Sequence, residues 1–328
     1  MAAFEETPDP MEKRQHRRPA CGRLGRCRAL VTLAVGISLV APMVAGAQEI
    51  EPRAYVNLPI GVNFLVAGYA HSAGGLSTDP SLPVTDAHLK IDTGVLGYAR
   101  SLDLGGRSGR LDIVIPYSRL SGTAQVAGQP AARDVSGLGD PRVRLAMNFY
   151  GAPALSLPEF VAYRQDLVLG ASVQVTAPGA QYDPAKAINL GTNRWSVKPD
   201  VGLSKTFGAL LVDVTAGVTV FTTNSDFFGG QKLEQAPIYS MQGNVSYSFS
   251  GGVWASLGAT YYTGGRTTVN GVRKDNALNN SRTGLTVSVP IDRNHSIKLN
   301  AASGISTRTG TDFDAVSVAW QYRWGGGL

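Results

Sequence analysis

Near its C-terminus the chain reads Ala315-Val316-Ser317-Val318-Ala319-Trp320-Gln321-Tyr322-Arg323-Trp324. The bulky apolar side chains all fall on even-numbered positions, whereas the odd-numbered positions carry Ala, Ser, Gln and Arg. Successive side chains of a β-strand point to opposite faces, so this segment is predicted to be a strand with one apolar, aromatic face. In a soluble sandwich that face would point into the protein. In a transmembrane barrel it would point out towards lipid.

Composition excludes several classes of protein. The chain has 39 glycines among 328 residues, 16% charged residues and 43% hydrophobic residues, a balance that fits neither a disordered chain nor a helical membrane protein. Seven of the 30 basic and four of the 24 acidic residues precede residue 48, which leaves 23 against 20 and a net charge of +3 for the remainder. No nucleic-acid partner is therefore expected.

Residues 1–47 have the features of an export signal. A basic region ends at Arg28, an apolar run covers residues 29–40, and residues 45–47 (Ala-Gly-Ala) offer small side chains for cleavage. A retained membrane anchor is the alternative, but the run is shorter than the ~20 apolar residues that a spanning helix needs. We therefore expect a signal peptide over residues 1–47 and one domain over residues 48–328.

From residue 48 onward the recurring pattern is alternation of apolar and polar residues, which is typical of strands. Twelve strands are predicted, at residues 59–68, 89–102, 111–117, 143–149, 167–175, 195–203, 212–220, 239–249, 253–262, 285–291, 297–301 and 315–324. The links between them mostly alternate between tight turns and long polar loops, including long loops expected at residues 71–87 and 121–137. An even number of strands with this asymmetry is typical of an outer-membrane barrel.

Aromatic residues cluster at both ends of the predicted strands. Those at the short-turn ends are Phe149, Phe207, Tyr247, Phe249, Tyr322 and Trp324. Those at the long-loop ends are Tyr117, Trp195, Tyr239, Tyr261 and Phe313. We assign Trp195, Tyr239, Tyr247, Phe249, Tyr322 and Trp324 to the lipid–water interfaces. Because lipid leaves no partner for a free backbone amide, the strands must close, which predicts an all-β transmembrane antiparallel barrel of about 12 strands, an up-and-down meander.

Charged residues on the polar face of these strands would then point into the lumen. The candidates are Arg142, Arg144, Lys198, Asp200, Asp213, Lys298 and Arg323. They either pair with one another across the interior, since unpaired buried charges are costly, or line a passage and bias what crosses it. The bulky Trp254, Tyr262 and Phe221 would narrow such a passage.

The sequence allows one structural prediction for each end of the mature chain. Only residues 48–58 precede the first predicted strand, so we expect no N-terminal plug in the lumen. At the other end the alternation continues past Trp324, which predicts that the last strand extends to Leu328.

Enzymatic and metal sites are weakly represented. His71 and Ser72 are the nearest approach to the Ser–His pair of an outer-membrane lipid hydrolase, but no orienting acid stands at a recognisable spacing. Scattered histidines make no metal site, and both cysteines, Cys21 and Cys27, lie in the predicted signal peptide. We expect no catalytic residues, no metal and no cofactor.

Three segments resemble a known family. Residues 176–183 read Thr-Ala-Pro-Gly-Ala-Gln-Tyr-Asp, residues 189–199 include Asn-Leu-Gly-Thr-Asn-Arg-Trp and Lys-Pro, and residues 136–140 read Ser-Gly-Leu-Gly-Asp. They resemble the outer-membrane family labelled "Putative MetA-pathway of phenol degradation". The resemblance implies a transporter-like β-barrel, linked by its name to uptake of phenolic or other aromatic compounds. It implies no catalytic residues.

The functional hypothesis is a bacterial outer-membrane channel for passive passage of small hydrophobic or aromatic molecules, because about 12 strands leave a narrow interior. The expected partners are outer-membrane lipid, a small-molecule solute and the barrel-assembly machinery. Two alternatives stay open: an outer-membrane lipid-modifying enzyme, and a structural or adhesive barrel with a plugged lumen.

Overall fold

The structure, a computed structural model, describes residues 50–77, 84–126 and 128–328. Those ranges contain a short helix, α1 (Leu157–Ala162), a 3₁₀ turn (Ser250–Gly252) and seventeen strands. In chain order the strands are β1 (Val62–Ser77), β2 (Val84–Asp103), β3 (Ser108–Val126), β4 (Gln129–Leu138), β5 (Arg142–Tyr150), β6 (Leu167–Thr176), β7 (Ser196–Phe207), β8 (Leu210–Phe221), β9 (Asn224–Phe227), β10 (Gln231–Gln235), β11 (Ile238–Ser248), β12 (Trp254–Gly264), β13 (Thr267–Val269), β14 (Val272–Arg273), β15 (Leu278–Pro290), β16 (His295–Ser306) and β17 (Gly310–Gly325).

The predicted signal peptide, residues 1–47, lies outside the described residues. Within the described ranges, no helix is long and apolar enough to cross a membrane.

Antiparallel pairing closes the wall into a barrel of twelve strands. β17 pairs with β1 from Val62↔Gly325 to Ser77↔Gly310, which joins the last strand to the first. β4 and β5 form one wall strand, because β4 pairs with the second half of β3 and β5 with the first half. The break between them contains Pro141, which has no amide hydrogen to give to a ladder. The predicted fold class is confirmed.

Side-chain direction in β17 shows that the barrel is apolar on the outside. Val316 and Val318 are 57% and 41% exposed on the outer face, whereas Gln321 and Arg323 on the other parity are buried. The same outward belt continues around the wall through Leu96, Ile115, Val143, Leu145, Val173, Val201, Val245, Leu257, Leu285 and Leu299. A polar interior inside an apolar belt is the arrangement that a lipid environment favours.

β1 departs from this rule. Val62, Phe64 and Val66 are each 1% exposed and point into the barrel, where they form an apolar cluster. The other members of this cluster are Leu58, Val95, Ala99, Val114 and Ala319. One side of the lumen is therefore a small hydrophobic core.

Two links expected to be long loops are largely strand. β1 continues to Ser77 and β2 begins at Val84, while β3 and β4 form a tight hairpin between Val126 and Gln129. The outer faces of these extensions are polar, and they include an exposed ion pair of 2.8 Å between Arg119 and Asp134. Beyond the lipid there is no need for an apolar outer face, so the alternation that identifies spanning strands is absent here. At the same end β9, β10, β13 and β14 form a separate four-stranded sheet.

The expectation that the last strand extends to Leu328 is wrong. β17 ends at Gly325, and Gly325, Gly326 and Gly327 have φ angles of 80°, 61° and 87°. These left-handed conformations suit glycine and cannot continue an extended strand. Leu328 instead closes a turn, with its amide donating to the Gly325 carbonyl at 3.1 Å.

Candidate functional site in the barrel lumen

All seven charged residues that the sequence places in the lumen point into the barrel. Arg142, Arg144, Asp200, Asp213, Lys298 and Arg323 are buried, and Lys198 is partly buried. Among the bulky residues, Trp254 and Tyr262 are fully buried and Phe221 is partly buried. That they line a passage stays a prediction.

The chain before β1 folds back into the lumen, so the expectation of no plug is wrong. We call residues 50–58 the N-terminal plug. The Glu51 carboxylate accepts hydrogen bonds from Arg110 on β3, at 2.9 Å, and from Arg144 on β5, at 2.6 Å. Its carbonyl accepts a further bond of 3.0 Å from Gln242 on β11.

The next residues of the plug reach the opposite wall. The Arg53 amide donates to Asp213 at 3.1 Å, and the Arg53 guanidinium lies 5.1 Å from the centre of the Trp254 ring. The Tyr55 hydroxyl donates to Asp200. The plug therefore crosses the lumen rather than lying along one side of it.

Glycines on the inner wall make room for the plug. A Cβ atom added at Gly170 or Gly202 would overlap the Tyr55 ring. A Cβ atom added at Gly258 or Gly284 would lie 2.7 or 2.9 Å from the Ile50 side chain. Glycine is the residue that allows such close approach of a strand to another group.

Four of the buried charges in the central lumen, Arg110, Asp112, Arg144 and Asp200, form one paired network. Arg110 donates from Nε to Asp112 at 2.9 Å, and Arg144 donates from Nε to the Ser172 hydroxyl at 2.8 Å. Ser172 in turn donates to Asp200 at 2.6 Å. Since a buried charge without a partner is costly, this network accounts for the charged residues at these positions without any bound ion.

The sequence as a whole also identifies the chain's relatives. The model of the family described as "Putative MetA-pathway of phenol degradation" matches residues 71–320, about three quarters of the chain. The chain belongs to this family. The resemblance inferred from residues 176–199 and 136–140 is thereby confirmed.

A solved structure supports the fold of this MetA-pathway family member. The COG4313 outer membrane channel from Pseudomonas putida F1 matches with a TM-score of 0.72 and 22% identity, over 84% of this chain and 100% of that one. The β domain of the Bordetella autotransporter BrkA and the transport unit of AIDA-I from Escherichia coli match at TM-scores of only 0.45 and 0.46, each with 8% identity. Those two matches cover 81% and 80% of this chain, and 100% and 90% of theirs. No curated protein matches the chain.

The residues proposed for a lipid-hydrolase site are not brought together. Ser72 is 1% exposed and points into the barrel, whereas His71, the next residue of β1, lies on the outer face. His71 does have an acidic neighbour that the sequence did not reveal, since Nδ1 lies 2.8 Å from Asp92. Because the serine and the histidine face opposite sides of the wall, they cannot act as a pair.

The six aromatic residues assigned to the interfaces lie on the outer face. Trp195, Tyr239, Tyr247 and Phe249 are exposed, and the Tyr322 ring stacks on Trp324 with centres 5.3 Å apart. Phe313, which was grouped with the long-loop girdle, is instead buried inside the barrel because it has the inward parity of β17.

The plug gives a first testable prediction. Replacing Gly202 by Val should displace the Tyr55 ring, loosen the plug and raise single-channel conductance in planar bilayers, because the new side chain overlaps that ring. Gly243→Val is the matched control, since a Cβ atom at Gly243 meets nothing within 4 Å. Equal conductance in the two variants would contradict the prediction.

Proposed function

We propose that this protein is an outer-membrane channel for passive passage of small hydrophobic or aromatic molecules, with the short turns towards the periplasm and the long loops outside. The single observation that carries the proposal is that the lumen is filled by a segment that is not paired with the wall strands. The described part of the plug makes no strand pairing with the wall and is held by side-chain ion pairs and hydrogen bonds. It can therefore leave without breaking a backbone ladder.

The solute class is supported by the apolar surface inside the long-loop end. Leu89, Ile91, Leu120 and Phe313 form a buried cluster on the inner wall. Partly buried Val135, Ile188 and Leu190 pack against it. Apolar side chains inside the barrel suit hydrophobic ligands, and the family's name links it to phenol degradation.

Solute flux tests the proposal. Vesicles with lipopolysaccharide in the outer leaflet and the reconstituted protein should admit benzyl alcohol faster than protein-free vesicles, and should favour it over glucose. The apolar cluster gives the aromatic solute contacts that the sugar cannot use. Entry no faster than in protein-free vesicles would overturn the channel function and favour a structural barrel with a plugged lumen.

A further inference from the structure

Two arginines hold the carboxylate of Glu51 inside the barrel. Arg110 and Arg144 are 6% and 7% exposed, on neighbouring wall strands β3 and β5. One terminal nitrogen of each guanidinium bonds a different carboxylate oxygen, with Arg110 at 2.9 Å from Oε1 and Arg144 at 2.6 Å from Oε2. We call Arg110 and Arg144 the arginine pair. Charge-assisted hydrogen bonds from arginine to a carboxylate are short and strong, and here two arginines supply one each.

The wall alone orients the arginine pair. Arg110 is fixed through Nε by Asp112, and Arg144 through Nε by Ser172, which is itself bonded to Asp200. None of these anchors belongs to the N-terminal plug. When the plug leaves, both guanidinium groups keep the orientation in which one nitrogen of each faces the vacated position.

The charge balance of the wall favours a replacement anion. Lys198 and Lys298 are close enough to the Glu51 carboxylate to interact with it electrostatically. Around the arginine pair the wall supplies Asp112 and Asp200 as acids. These four basic side chains face three acids while Glu51 is in place and two when it leaves, and the larger surplus of buried positive charge is costly unless another anion replaces Glu51.

The same site accommodates an aromatic ring. The Arg144 guanidinium carbon lies 5.6 Å from the centre of the Tyr55 ring, within the range of a cation–π contact. Gly170 and Gly202 leave the space in which that ring lies. The plug therefore presents a carboxylate and an aromatic ring to the same arginine, and these are the two groups of an aromatic acid.

We propose that the arginine pair is a carboxylate-binding site for small aromatic acids, which the chain's own Glu51 occupies while the plug is in place. The solute's carboxylate displaces Glu51, and its ring takes the place of Tyr55. The inference rests on the proposed channel function and adds aromatic acids to its solute class.

Ligand binding to the purified, detergent-solubilised protein tests this. Benzoate and its neutral isostere benzamide are titrated calorimetrically into the wild type and Glu51→Gln. Glu51→Gln should bind benzoate at least about tenfold more tightly, because a charged competitor is removed and tenfold corresponds to ~1.4 kcal/mol, the low end for a hydrogen bond to a charged group. Benzamide affinity should stay unchanged. Equal benzoate affinity in the two proteins, or an equal gain for benzamide, would overturn the inference.

Two kinds of control complete the test. Glu234→Gln removes a carboxylate from β10, outside the wall strands, and should leave benzoate affinity at the wild-type value. In the Glu51→Gln background, Arg144→Lys should abolish the gain, since an ammonium cannot reproduce the guanidinium fork. If the Arg144→Lys barrel does not fold, Arg110→Lys in the same background is measured in its place.

Binding and transport can be judged separately. An unchanged benzoate affinity in Glu51→Gln overturns the carboxylate site even if benzyl alcohol still enters vesicles. A gain in benzoate affinity supports the site even if no solute crosses, in which case the channel function fails alone.

Discussion

Deleting residues 50–57 should raise single-channel conductance several-fold and hold the barrel open. These residues supply the side chains of Glu51, Arg53 and Tyr55 that cross the lumen, whereas Leu58 is retained because it packs in the apolar cluster with β1. The wall keeps its closed ladder, so the deletion should change what fills the barrel and not the barrel itself. Planar-bilayer recordings measure the effect, and a heat-dependent gel shift shows that the barrel still folds.

The opposite change provides the control. Cysteines at positions 50 and 258 should form a disulfide that locks the plug in place, because the Ile50 Cγ2 atom lies 2.7 Å from a Cβ atom built at Gly258; the Asn244 side chain, which that Cβ atom also meets, must turn aside. Cγ2 is one bond from the Ile50 Cβ atom, and a disulfide joins Cβ atoms about 3.5–4.5 Å apart. Residues 48–328 contain no other cysteine, so the bond is unambiguous. Conductance should fall on oxidation and recover on reduction; equal currents in both states, or no rise on deletion, would show that the plug does not block the lumen.

The second large effect concerns the lipid-facing surface. Leu257 on β12 is 62% exposed and pairs with Val245 and Leu285, which face outward beside it. Leu257→Arg should lower the free energy of unfolding by about 2–4 kcal/mol, the cost of a basic side chain on the lipid face near the bilayer midplane. Denaturant titrations in lipid vesicles measure it.

A substitution nearer the membrane interface is the matched control for Leu257→Arg. Ile291 is equally exposed, at 62%, but lies in the turn after β15. Ile291→Arg should cost only about 0–1 kcal/mol, because an arginine near the interface reaches water. Similar costs at the two positions would mean that Leu257 does not face lipid.

Sequence reasoning missed the plug residues and, on the wall, Arg110 and Asp112, which are buried in the lumen. Glu51, Arg53 and Tyr55 stand in a short stretch with no periodicity, and nothing local distinguishes them from a linker. A signal was present in the wall, where Gly170 and Gly202 occupy inward positions of adjacent strands. A glycine in a strand also marks bulges and bends. This pair of glycines therefore indicates a ring packed against the wall only once the position of the Tyr55 ring is known.

The boundaries of several strands were predicted wrongly for a related reason. The regions around residues 71–77 and 121–138 carry polar side chains on their outer face, so a rule based on apolar alternation classes them as loops. They are strands because they pair with neighbours that are already in the wall, as His71 does with Asp92.

The barrel could be predicted from the amino-acid pattern alone, which shows the alternation, the even strand number, the aromatic strand ends and the inward parity of residues such as Arg144 and Asp200. These follow from constraints that act on each strand separately, because lipid selects an apolar outer face at every second residue. The plug contacts could not be predicted in this way: Glu51 lies between Arg110 and Arg144, and Tyr55 reaches Asp200, only in the closed barrel. Those contacts join residues 59 to 145 positions apart, and closure of the barrel is what brings them together.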